Sequence, residues 1–219
     1  MPRILFTKIG EAVWISHLDL MRLFQRAFKR AGLELTHTQG YNPRPSVSIA
    51  LPLSVGVESL CELLDFDLEG EKLSCEEIVS RLNPVLTKGI EVLACYDTGR
   101  KIRDLSLLRC SLSLEYDQGI PAGGTQELKK LFARDSLIVS KKSKNGPVDQ
   151  DIIPMIRSLN IHQPDENHLQ IDALICCQNP SLNPSQLVAA IERHCPELKP
   201  DHAVCRREEL YDTNETIFR

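Results

Sequence analysis

No apolar run in the 219-residue chain approaches the roughly 18 residues that a membrane-spanning helix needs. The opening residues, MPRILFTKIG, have neither an apolar core nor a small-residue cleavage site, so no signal peptide is expected. Both absences predict a cytoplasmic protein. Metal and cofactor motifs are missing too. None of the eight cysteines forms a C-x-x-C pair, and there is no C-x-x-x-C-x-x-C cluster motif. The cysteines therefore read as reduced, structural thiols. The histidines show no H-x-x-H or H-E-x-x-H spacing, so no metal site is expected. The chain has no P-loop, no dinucleotide fingerprint and no G-x-S-x-G, so no cofactor is expected either.

What is present is unevenly distributed. The net charge is −4, which argues against bulk coating of nucleic acid. Residues 1–56 nevertheless hold seven Lys/Arg against three Asp/Glu, a local balance of +4. Residues 57–77 hold eight acids against Lys72, and without a metal-loop pattern they read as an exposed acidic strand face.

The most distinctive stretch is 16–45, SHLDLMRLFQRAFKRAGLELTHTQGYNPRP. Ser16 and Asp19 stand at capping-box spacing before an apolar-periodic run, which predicts a helix from His17 to about Ala31, ended by Gly32. At 100° per residue, Leu20, Leu23, Phe24, Ala27, Phe28 and Ala31 share one arc, and Arg22, Arg26, Lys29 and Arg30 share the opposite one. The loop QGYNPRP follows. Its two prolines fix their own φ and restrict the residues before them, so Tyr41, Asn42 and Arg44 are held at low entropic cost.

Around this stretch the pattern predicts strands at 3–9, 33–38, 47–51, 60–68 and 90–96, with 13–15 extending the first. A second helix begins after Ser74, with Glu77 at the box position. The order strand, helix, strand pair, helix, strand is the βαββαβ ferredoxin-like pattern. A polar boundary falls at 99–104. The second half repeats the rhythm. It has a strand at 105–116, a helix capped by Thr125, a strand at 137–141 with a basic tip at 140–147, and a mixed segment at 148–160. A strand at 168–177, a helix at 183–194 and a strand at 203–211 complete it. The fold class expected is α+β: two tandem ferredoxin-like units with antiparallel sheets, covering 1–100 and 104–219.

The run ISHLDLMRLFQRAFKRAGLELTHTQGYNPRPSVSIALPLSVGVES resembles the signature of the radical-SAM-linked family, the DUF2344 domain. Tyr41 stands where that family usually has Phe, and Thr38 where it usually has Ser. Such domains occur free-standing or fused after a radical SAM enzyme. This chain lacks the cluster cysteines, so it resembles the free-standing form. The resemblance implies a radical SAM enzyme as partner and names no reaction.

The cationic arc with Tyr41, Asn42 and Arg44 fits phosphate and RNA recognition; the plainer alternative is a solvated helix face. No RNP-type aromatic strand motif is visible. The leading expectation is a non-catalytic RNA-binding adaptor that acts with a radical SAM enzyme on tRNA or ribosomal RNA. One alternative is an RNA-processing enzyme using His17 as general acid or base. Against it stands a structural His17, hydrogen-bonded to the helix start or to the 39–45 loop. The other is an adaptor that contacts protein alone. Asp19 reads as part of the cap rather than as a partner of Arg22.

Overall fold

A computed structural model describes residues 2–70, 73–143 and 146–219. Residues 144 and 145 of the expected basic tip, and Glu71 and Lys72 of the acidic run, lie outside the described residues. The fold is mixed α+β with antiparallel strand pairing and, among the described residues, four α-helices. The chain divides into two compact units, Met1–Ile102 with Arg219, and Arg103–Phe218.

The first unit contains β1 (Pro2–Lys8), α1 (His17–Arg30), β2 (Val47–Ile49), β3 (Glu58–Phe66), α2 (Cys75–Leu82) and β4 (Ile90–Asp97). β1 is central: it pairs with β4 on one side and β3 on the other, and β2 adds to β3. Alternation puts Ile4 and Phe6 of β1 on the same face as Leu64 and Phe66 of β3. Leu20, Phe24, Ala27 and Phe28 of the expected arc of α1 close over that face with Ile78 and Leu82 of α2, while Leu23, expected on the same arc, is only half-buried and lies outside this cluster. Phe6 meets Phe24 edge-on at 4.7 Å between ring centroids, and Phe28 meets Phe66 at 4.9 Å. Each such fully buried ring contributes about 1.5–3 kcal/mol.

α1 begins as its sequence requires. Asp19 donates its backbone N–H to the Ser16 hydroxyl (3.2 Å), and that hydroxyl donates to the Asp19 carboxylate (2.7 Å). At the other end Gly32 takes φ +68, open only to glycine at low cost. Two expected strands fail. Residues 10–14 form a 3-10 turn, not the continuation of β1. Residues 33–38 contribute only single bridges, Leu35 to Leu68 and His37 to Pro45, because the chain leaves the sheet there as a separate excursion.

The second unit contains β5 (Leu105–Glu115), α3 (Gly124–Phe132), β6 (Ile138–Ser143), β7 (Gly146–Asp151), β8 (Ile156–His162), β9 (His168–Cys176), α4 (Ser185–His194) and β10 (His202–Asp212). Its strand order is β10-β5-β9-β8, with β6 and β7 a separate hairpin. On β5, Cys110, Leu112 and Leu114 are buried, while Arg109, Ser111, Ser113 and Glu115 point to the other, polar face. Thr125 does not cap α3. The N-cap is Gly123 at φ +78, and the Thr125 hydroxyl instead meets Gln163 at 3.2 Å.

The eight cysteines are free thiols. Burial pushes Cys177 and Cys95 up to about 12 and Cys205 up to about 11, from the ordinary 9.0. Burial likewise raises the Tyr116 phenol to about 12, and its hydroxyl donates to the Leu198 carbonyl at 2.9 Å. The folded state favours the protonated forms of these groups. Their stabilisation is complete below about pH 9 and is lost as pH rises towards 12. The expected outcome is a thermal midpoint that falls steadily over that window. A flat midpoint above pH 9 would contradict it.

Candidate nucleic-acid interface

The cationic arc of α1 is on the surface: Arg22, Arg26, Lys29 and Arg30 are all exposed. They are not equivalent. Arg22 donates to Asp19 at 2.9 Å, so Asp19 serves the cap and Arg22 together. The Ser16 hydroxyl first, and then Arg22, hold the Asp19 carboxyl below the usual carboxylate range. Arg30 donates to the Val85 carbonyl at 2.7 Å, which fixes its guanidinium against the turn after α2. Arg26 and Lys29 have neither an ion pair nor a hydrogen-bonded partner among the described residues. Within the arc they are the two cations without such a contact.

The NPRP loop is a clamped finger. At its base Ser46 donates its N–H to the Thr36 carbonyl (2.7 Å), and Thr38 donates to the Arg44 carbonyl (2.8 Å). The Arg44 N–H returns to the Thr38 hydroxyl at 3.0 Å, a role that serine would fill equally well. Tyr41, Asn42 and Arg44 are exposed at the tip, Tyr41 completely so.

His17 opens α1 and is half-buried, with its Nδ1 buried and without a hydrogen-bond partner. Among the described residues it bonds neither the helix start nor the finger. Among the described residues no three His, Cys, Asp or Glu side chains form a metal-ligating group. Among the described residues no helix is long and apolar enough to cross a membrane.

The acidic run is not an exposed strand face. Glu62 is fully buried, and Asp65 holds the buried Arg3 through bonds of 2.5 and 3.0 Å. Of the basic residues in 1–56, Arg3 and Lys8 are each only 1% exposed, so the surface patch is made by α1 and the finger alone. Sequence reasoning also missed Trp14 and Leu18, which are 73% and 66% exposed beside the start of α1. Leu18 falls outside the apolar arc, which was the available signal.

The chain is similar in fold to a chain of the crystal structure of a Cbf5-Nop10-Gar1 complex, with 7% identity and a TM-score of 0.52. The match covers 95% of this chain and 48% of that one, so the chain spans about half the length of its structural relative. A protein from Galdieria sulphuraria matches with 11% identity over 94% of this chain and 96% of its own, at a TM-score of 0.27. No curated protein matches. Residues 2–184, which include the whole of α1, the finger and most of the second unit, match the model of DUF2344, described as an uncharacterized protein conserved in bacteria, and the chain belongs to that family.

Proposed function

We propose that the chain is a non-catalytic RNA-binding module, made of two tandem ferredoxin-like units, that presents tRNA or ribosomal RNA to a radical SAM partner enzyme. The strand order β4-β1-β3-β2 in the first unit supports the ferredoxin-like reading. The order β10-β5-β9-β8 repeats the scheme in the second, with the β6–β7 hairpin as an insertion. The radical SAM partner comes from the family resemblance.

One observation carries the RNA reading: Arg26 and Lys29 are exposed on the same helix face and make no ion pair among the described residues, and a clamped finger adds Arg44 and the fully exposed Tyr41. Cations held on rigid elements bind phosphates, and an exposed aromatic ring offers a base a surface for stacking. The reading is tested by binding to bulk cellular RNA over a range of salt. The double variant Arg26→Ala/Lys29→Ala is expected to bind about tenfold more weakly at low salt and to lower the salt slope by about two. Wild-type protein that does not bind at low salt, or a double variant with wild-type affinity and slope, rejects it.

A second reading, an adaptor that contacts protein alone, is favoured by Trp14 and Leu18, whose apolar exposure suits a protein surface. The same titration separates the two, because a purely protein-facing module gives no salt-dependent RNA binding.

A further inference from the structure

Two adjoining depressions flank the edge strand β8 of the second unit. The first, of about 450 Å³, is lined by Arg109, Asn160, Asp172 and Glu208 among others. The second, of about 410 Å³, is lined by Lys129 and Arg157 and holds no acid. They share Ser158, Leu159 and Asn160, so β8 is the ridge between them. Both volumes lie within the range of about 300–1,000 Å³ usual for small-ligand sites.

The charges in these depressions are held ready rather than neutralised. Arg109 lies 5.3 Å above the Tyr211 ring and makes no ion pair among the described residues, although Asp172 and Glu208 line the same depression. Glu209, opposite it in register, accepts the Leu210 N–H at 2.8 Å. Glu208 accepts the Ser111 hydroxyl at 2.9 Å, and Asp172 lies 3.6 Å from His162. Bulges at Glu208 on β10 and at Arg157 on β8 turn these residues out of the regular alternation. In the second depression Lys129 and Arg157 are exposed and have no ion pair among the described residues, whereas Lys130 next to Lys129 is paired with Glu127.

The two depressions select different chemistry. In the first, one arginine faces two carboxylates, so a phosphate is repelled. An amino-bearing ring is favoured: carboxylates only accept hydrogen bonds, and a guanidinium plane stacks on bases. In the second the lining charge is entirely positive and suits a phosphate. The geometry points to a site for one unpaired nucleotide lying astride β8, with its amino-bearing base against Arg109, Asp172 and Asn160 and its phosphate against Arg157 and Lys129. The nucleotide belongs to an RNA strand. This part rests on the RNA-binding reading above, and it adds where a base is read.

The test uses the full chain with labelled pentacytidine and pentauridine, and with CMP. Cytosine has the amino group and uracil lacks it, so pentacytidine is expected to bind about tenfold more tightly. Asp172→Asn removes that preference, and Arg109→Ala, at an exposed position, weakens pentacytidine about tenfold. Arg157→Ala weakens both oligonucleotides alike and lowers the salt slope by about one. Arg26→Ala/Lys29→Ala weakens both but keeps their ratio. Equal binding of the two oligonucleotides by wild type, with the helix variant still weakened, overturns this site and leaves the RNA reading standing. No binding of either at low salt overturns both. CMP binding without pentacytidine binding overturns the strand as the source.

Discussion

Arg3→Ala is expected to lower the stability of the chain by about 3–5 kcal/mol, which is a large part of the roughly 5–15 kcal/mol that holds a domain folded. The Arg3 side chain is 1% exposed and that of Asp65 16%. Its Nε and one terminal nitrogen donate to the two Asp65 oxygens, and that nitrogen also donates to the Arg100 carbonyl at 3.0 Å. Truncation leaves a largely buried carboxylate and a carbonyl without these donors. Most of the expected loss is the cost of that stranded charge, not the attraction itself. The double change Arg3→Met/Asp65→Leu should therefore recover most of the stability, since a packed apolar pair is often as stable as a buried ion pair. Denaturant midpoints at constant slope measure both. A single-variant loss below about 1 kcal/mol, or a double variant no better than the single, would show that the pair is energetically idle.

Gly89→Ala is the second large effect, expected at about 3–5 kcal/mol. A Cβ built at Gly89 comes within 2.3 Å of the Ile9 carbonyl oxygen and 2.9 Å of the Ala12 Cβ, and φ is +87. The contact with backbone cannot be relieved by a rotamer change, and the left-handed backbone adds its own strain of about 1–3 kcal/mol. Ile9 also donates its N–H to the Gly89 carbonyl at 2.9 Å, so the clash falls on the turn that delivers the chain into α1. Gly32→Ala is the matched control. It has φ +68 but nothing within 4 Å, and it should cost only about 1 kcal/mol. Similar losses for the two would remove the close approach as the cause.

The parts of the fold that are local could be read from the sequence. Ser16, Asp19 and Gly32 delimit α1 within one residue, and the same logic placed Ser74 before α2. Helix periodicity separated the buried arc from the cationic one, and the structure keeps Arg26 and Lys29 exposed. What depended on distant partners was not legible. Asp65 looks like any acid in an acidic run until a residue 62 positions earlier is seen to need it. The strand expected at 33–38 has the right residues and lacks neighbours, since β3 is already occupied by β2 over Leu64–Phe66. Arg109, Asp172 and Tyr211 are scattered in the chain, and only the register of three strands gathers them.

The finger has a further consequence, for solubility. β2 is three residues long, pairs with β3 alone, and is preceded by an excursion that carries Pro43 and Pro45. A longer, straight strand at that position would offer a row of unpaired amides on which a second molecule could add its own strand. Shortness, two residues without an N–H and a protruding tip remove that template. The element that displays Tyr41 and Arg44 thus also protects the sheet against edge-to-edge aggregation.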